Sequence, residues 1–164
     1  MKSRLSFAGH PLHPMVVGFP IALYSTSLVC DALYLMLNEP FWFRMAFWAI
    51  AFGVVTNLSA AATGLPDFLA IMQERSEARR PATSHLVFGV SLVVVQGLNL
   101  VLRNWGEIPP SGSIALPLLV NLIAAGLLGV QGWYGGELVY RHLIGVEVPN
   151  PKPDGAAGKK GKKH

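Results

Sequence analysis

Four of the five histidines in this chain lie at one and the same end of predicted membrane helices. Two of them, His10 and His13, share the proline-bounded stretch 9–14 before the first apolar segment. The other two, His85 and His142, lie at the start of the third apolar segment and after the fourth. Imidazole is costly near hydrocarbon and is a common ligand of metals and haem. Histidines that converge at one depth therefore predict a ligand-binding site.

The composition places the chain among membrane proteins. Of its 164 residues, 52% are hydrophobic and only 13% are charged, and the mean hydropathy is +0.44, whereas soluble domains carry about 25% charged residues. The single cysteine, Cys30, lies in an apolar segment and has no partner for an intrachain disulfide. We therefore expect Cys30 to pack as a small apolar side chain.

Four segments are long and apolar enough to cross a bilayer, which takes about 20 residues for a helix. The sequence predicts an all-α fold, a four-helix transmembrane bundle over residues 1–148, with helices at about 15–37, 43–66, 83–102 and 113–140. Residues 149–164 are rich in proline, glycine and lysine and are predicted to be a disordered basic tail. The tail lysines favour attraction to anionic lipid, and nothing in the chain resembles a nucleic-acid-binding module.

The distribution of lysine and arginine predicts the orientation of the bundle. Eleven of these residues lie on the side that holds both termini and the 73–81 loop, and only Arg44 and Arg103 lie on the other side. The positive-inside rule then predicts that both termini, and with them the four histidines, are cytoplasmic.

Other polar residues are predicted at the level of the histidines. Asp67 ends the second helix there, and Glu137 and Arg141 join from the fourth. His85 shares a helix face with Gly89, and His142 shares one with Gly132 and Gly135. Glycines below a histidine leave room for a flat ring such as a porphyrin or a quinone, although close helix packing explains them equally well.

Two imidazoles on facing helices with an apolar slot between them suit a bis-histidine haem. His85 and His142 are the best candidate ligands. His13 is an alternative partner, and His13 and His10 are also candidates to hold a second group. The half of the bundle away from the termini has no histidine, which excludes a ladder of haems across the bilayer. One alternative is a membrane protein for metal transport or sensing, with a non-haem iron, copper or zinc site that adds Asp67 and Glu137 to the imidazoles. The other is a non-catalytic structural membrane subunit, in which the histidines organise the cytoplasmic end of the bundle and hold no cofactor.

Several polar residues fall inside the apolar segments. Asp31 is predicted near the end of the bundle away from the histidines, and its carboxylate suits proton uptake, quinone binding or a hydrogen bond to Asn99 or Asn121. Amide side chains inside the spans are expected to form interhelical hydrogen bonds; these are Asn57, Gln96 and Gln131.

The chain resembles DUF2231, a bacterial family of four-helix integral membrane proteins, over roughly residues 7–146. The stretches that carry the resemblance are Gly9–Pro14, Phe19–Leu23 with Asp31, Ala62–Asp67, Ala78–Arg80 with His85, and Gly132–His142. The resemblance implies a multi-pass protein of the bacterial inner membrane and carries no established activity. Some relatives resemble fusions to c-type cytochrome or Rieske modules, which implies a redox setting. No such module follows the bundle here, so we expect any redox partner to be a separate protein.

Together these observations predict an integral membrane protein that binds haem b and passes electrons between the quinone pool and a separate cytochrome or iron–sulfur protein. The haem propionates would be bound, or protons transferred, by Asp67, Glu137 and Arg141. The lipid bilayer is the expected environment, and assembly as a homo-oligomer is compatible with the sequence.

Overall fold

Four long helices dominate the computed structural model, which describes residues 3–74, 77–108 and 113–146. Two short antiparallel strands, β1 (Ser6–Phe7) and β2 (His10–Pro11), precede them. The helices are α1 (Leu12–Leu37), α2 (Pro40–Gln73), α3 (Arg79–Leu102) and α4 (Ala115–Tyr140), with a 3₁₀ turn at Asn104–Gly106. All four helices are long and apolar enough to span a membrane. The predicted tail, 149–164, lies outside the described residues.

The helix boundaries follow local chemistry, with one departure from expectation. Asn38 ends α1 in the left-handed conformation (φ 54°), and Pro40 opens α2, where its missing N–H costs nothing. The sequence predicts an end of α2 near Pro66, but the helix continues through this proline to Gln73. Proline is tolerated inside membrane helices when neighbouring groups compensate for the lost hydrogen bond. Here the extension is held by packing, since Ala70 and Ile71 beyond the proline are buried.

The bundle is built from two helical hairpins. The first pairs α1 with α2, the second pairs α3 with α4, and the two meet mainly along α2 and α3. Every helix contributes one side chain to the apolar cluster at the centre, formed by Tyr24, Ile50, Leu92 and Ala124. We call the end of the bundle that carries His13 and His85 the histidine end, and the opposite end the Asp31 end.

A fully buried ion pair lies at the Asp31 end. The carboxylate Oδ2 of Asp31 accepts a hydrogen bond from Nη2 of Arg103 at 2.6 Å, and both side chains are 0% exposed. The Arg103 guanidinium also lies over the ring of Phe43, 5.0 Å from its centroid. The sequence predicts that Arg103 is a loop residue after α3. Its side chain instead turns back into the bundle, because the buried Asp31 carboxylate is stabilised there only by an opposite charge.

Amide side chains surround this ion pair. Asn121 donates to Oδ2 of Asp31 at 2.7 Å, which confirms one of the two hydrogen bonds expected for this carboxylate. Asn99 accepts from Nε of Arg103 at 3.1 Å. Gln96 donates to Asn121 at 3.1 Å, so this amide does link α3 to α4 as predicted. The network therefore ties α1, α3 and α4 together inside the apolar part of the bundle.

We expect Asp31→Ala to destabilise the protein by about 3–5 kcal/mol, because it leaves the Arg103 charge buried without a partner. The double variant Asp31→Leu/Arg103→Met should lose less, since it buries no charge. Unfolding of the purified protein in detergent measures both. The control is Leu35→Ala, which changes an exposed side chain on the same helix. A double variant that is less stable than Asp31→Ala would contradict this account.

Candidate functional site

Two of the predicted site histidines meet at the histidine end. His13 lies in the first turn of α1 and His85 in the second turn of α3. Their ring centroids are 6.1 Å apart, and the ring planes are nearly perpendicular at 85°. Both imidazoles are only partly exposed. The structure thus brings one histidine from each hairpin to a common point.

Each imidazole is oriented by a backbone carbonyl of a neighbouring helix. Nδ1 of His13 lies 2.8 Å from the carbonyl oxygen of Ala60, and Nδ1 of His85 lies 2.9 Å from that of Gln131. A carbonyl oxygen only accepts, so each Nδ1 must carry the proton. The Nε2 atom of each neutral ring then keeps its lone pair. Ligand histidines are commonly oriented in this way, with one ring nitrogen donating to a carbonyl and the other free to bind.

Two glycines make room for these rings. A Cβ at Gly64 would lie 2.8 Å from Nδ1 of His13, and a Cβ at Gly135 would lie 3.1 Å from Cε1 of His85. The sequence predicts that Gly135 either allows close helix packing or leaves space for a flat ligand. In the structure Gly64 and Gly135 admit the imidazoles themselves, because any larger residue would displace the rings.

A cavity of about 490 Å³ extends from the two histidines into the bundle. This volume falls within the range of small-molecule and cofactor sites. All four helices contribute to its mainly apolar wall, and several wall residues, such as Leu58, Val90 and Val94, are also exposed on the outside of the bundle. The cavity is therefore accessible from the surface that faces lipid.

The other two predicted histidines lie elsewhere. His10 is in β2 and exposed, and His142 is in the turn that follows α4, where its backbone N–H donates to the carbonyl of Glu137. Within the described residues, the cavity wall includes His13 and His85 but neither of these two. The structure thus pairs His85 with His13, the alternative partner, and does not bring His142 to it. The turn after Tyr140 carries His142 past the end of the helix.

The predicted charged residues have partners of their own. The carboxylate of Asp67, which lies on the cavity wall, accepts hydrogen bonds from the Ser3 hydroxyl and from the backbone N–H of Arg4. It therefore fastens the N-terminal segment to α2. Glu137 and Arg141 form an ion pair of 3.4 Å, with the arginine side chain 77% exposed.

The donor set at this site is small. Over residues 3–74, 77–108 and 113–146, no three histidine, cysteine, aspartate or glutamate side chains group closely enough to hold a metal ion. Besides the Asp67 carboxylate, which already binds the N-terminal segment, the site offers two imidazole nitrogens and a mainly apolar wall.

The comparison with family models matches residues 9–148 to DUF2231, described as a predicted membrane protein. The chain belongs to the DUF2231 family. The match covers all four helices of this DUF2231 protein, including both histidines of the cavity. It confirms the resemblance drawn from the sequence and supports the membrane-spanning fold. No curated protein and no solved structure matches the chain.

We expect Gly64→Ala to destabilise this DUF2231 protein by about 1–3 kcal/mol, the usual cost of overpacking, because the new methyl group would displace the His13 ring from Ala60. The matched control is Gly126→Ala, where a Cβ meets nothing within 4 Å, and where alanine should stabilise the helix by up to about 1 kcal/mol. Thermal unfolding in detergent measures both variants. Equal stability changes of the same sign would show that Gly64 is not in tight contact with the imidazole.

Proposed function

We propose that this DUF2231 protein binds a b-type haem through His13 and His85 and transfers electrons between the quinone pool and a separate cytochrome or iron–sulfur protein. The observation that carries the proposal is the pair of imidazoles, 6.1 Å apart, each oriented through Nδ1 by a backbone carbonyl. When bound, haem supplies reversible one-electron exchange. The residues of the chain supply its ligands, its apolar surroundings and its access to lipid.

The separation of the two rings suits a shared metal ion. Nitrogen ligands bind at about 2.0–2.1 Å, and roughly one further ångström separates each nitrogen from the centre of its ring, so two imidazoles that would share one metal have centroids up to roughly 6 Å apart. The centroids of His13 and His85 are 6.1 Å apart, close to this limit. The free Nε2 atoms are the natural ligands, because both Nδ1 atoms are already engaged.

The small donor set favours haem over a bare ion. Protein sites for zinc and related ions use three or four side-chain ligands, whereas the described part of the chain brings together only two. A porphyrin would supply four ligands itself, so the two imidazoles of His13 and His85 would be enough to hold a haem. This argument favours haem over the non-haem iron, copper or zinc alternative.

The surroundings of the histidines also suit a haem. The mainly apolar cavity wall would suit the faces of a porphyrin. Arg4 and Arg141, which are exposed in ion pairs with Glu74 and Glu137, would be the cations for its propionates. Asp67 contributes indirectly, because its hydrogen bonds hold the segment that carries Arg4. His13 and His85 would both hold the haem, which would then supply electron transfer.

We expect the protein, expressed with ample haem and purified in detergent, to give Soret and α bands in a reduced-minus-oxidised spectrum. His13→Ala and His85→Ala should each abolish these bands, because each removes one axial ligand. His10→Ala and His142→Ala are the matched controls and should keep them.

A structural role of the histidines predicts a different result, in which the variants lose stability but no spectral signal is present in any of them. His85→Gly with added imidazole separates the two possibilities, since a free imidazole should restore the bands only if His85 is a ligand. Absence of both bands in the wild-type protein would overturn the proposal.

The same proposal includes an orientation in the bacterial inner membrane. The histidine end, with both termini, faces the cytoplasm because eleven of the thirteen lysines and arginines lie on that side of the spans. A partner protein would then meet the haem from the cytoplasm.

Single cysteines test this orientation in a Cys30→Ala background. Glu77→Cys is exposed between α2 and α3 at the histidine end, and Glu107→Cys is exposed at the Asp31 end. In cells with a permeabilised outer membrane, an inner-membrane-impermeant thiol reagent should label Glu107→Cys, and should label Glu77→Cys only after lysis. The reverse pattern would contradict a cytoplasmic histidine end.

A further inference from the structure

We infer that the deeper part of the cavity binds the headgroup of a quinone, with the side-chain amide of Asn57 donating a hydrogen bond to a quinone carbonyl. The inference rests on the proposed function, because it treats the cavity as a redox site. It goes further by naming the residue that recognises the lipid-soluble partner and the route by which that partner enters.

Asn57 is a buried amide whose donor atom Nδ2 makes no hydrogen bond of full geometry. It lies on the wall of the cavity and is only 6% exposed, and Nδ2 has no hydrogen-bond partner among the described residues. The sequence predicts an interhelical hydrogen bond for this amide, and the buried Tyr24 hydroxyl of α1 lies beside it as the partner, but Nδ2 reaches no hydrogen bond of full geometry. An unpaired donor in an apolar interior is unfavourable, so a ligand that brings an acceptor would be bound selectively.

The position of Asn57 separates it from the histidines. It precedes Gly64, the glycine against His13, by seven residues on the same face of α2, which corresponds to two turns or roughly 10 Å. Between these two levels, Nε2 of Gln131 lies against Gly89, one turn below His85. The cavity therefore presents imidazoles at its mouth, amide donors deeper inside and apolar side chains around both.

This order of groups matches the chemistry of a quinone. A quinone has carbonyl oxygens that only accept hydrogen bonds, a flat ring that suits an apolar slot, and a long apolar chain. The side openings at Leu58, Val90 and Val94 face lipid and would let the ring enter while the chain stays in the bilayer. A fatty acid is a poorer match, since the carboxylate would be buried with no cationic side chain on the described part of the cavity wall.

Equilibrium binding of decylubiquinone to the full-length protein in lipid nanodiscs tests the inference. Asn57→Leu removes the donor at similar volume and should weaken binding about fivefold to tenfold, the effect of one lost hydrogen bond. The matched control is Ser59→Ala on the same helix, whose exposed hydroxyl bonds to the carbonyl of Val55. Its affinity for decylubiquinone should equal that of the wild type.

A second variant decides the question if Asn57→Leu does not fold. Ala61→Phe adds an aromatic ring at an exposed position on the cavity wall and should also weaken binding. Undiminished binding in the folded variants, or displacement of decylubiquinone by oleate at equal concentration, would overturn the inference.

The binding measurement contains no haem signal, so the two proposals fail separately. Quinone binding that depends on Asn57 in a protein without haem bands contradicts only the haem proposal. Haem bands together with Asn57-independent binding contradict only the quinone site.

Discussion

The ion pair between Asp31 and Arg103 is the constraint on which the arrangement of the helices depends. Neither charge is tolerable alone in an apolar interior, so α1 and the end of α3 must meet at the same depth. Asp31 follows His13 by 18 residues, and Arg103 follows His85 by 18 residues. Since α1 and α3 run in the same direction, an ion pair at one end sets the two histidines at a common level roughly 27 Å away. The buried ion pair thus fixes the height of α1 relative to α3, and this height places the two histidines at the same level.

Most of the fold follows from the sequence because length, hydropathy and proline or asparagine boundaries are local properties. The four spans, the gathering of histidines at one end and the Asp31–Asn121 hydrogen bond were all predictable in this way. The role of Arg103 was not, because a side chain just beyond a helix can face either water or the interior, and only the position of Asp31 decides between them. The sequence offers His13 only as the alternative to His142, and nothing in it decides between the two partners for His85. The pairing of His85 with His13 depends on Gly64 and Gly135, which leave space for the two imidazoles. That role can be recognised only once the packing of the helices is known.

The acidic and basic side chains inside this bundle are concentrated at two depths, and the groups between them are uncharged. Between them lies an apolar layer with Tyr24, Ile50, Leu92 and Ala124 at its centre. Any ligand held by the histidines is therefore confined to one half of the membrane, and the opposite half carries a neutral, fully buried network. This division is compatible with the proposed electron transfer to partners on one side of the membrane.

The hairpin construction has a consequence for biogenesis. His13 belongs to the first hairpin and His85 to the second, while the carbonyls that orient them come from α2 and α4. Each hairpin can insert into the membrane and orient its own imidazole before the other is made, but the pair exists only after the hairpins dock. The proposed haem would thus be captured between two preformed half-sites during assembly, without having to pass through the finished bundle.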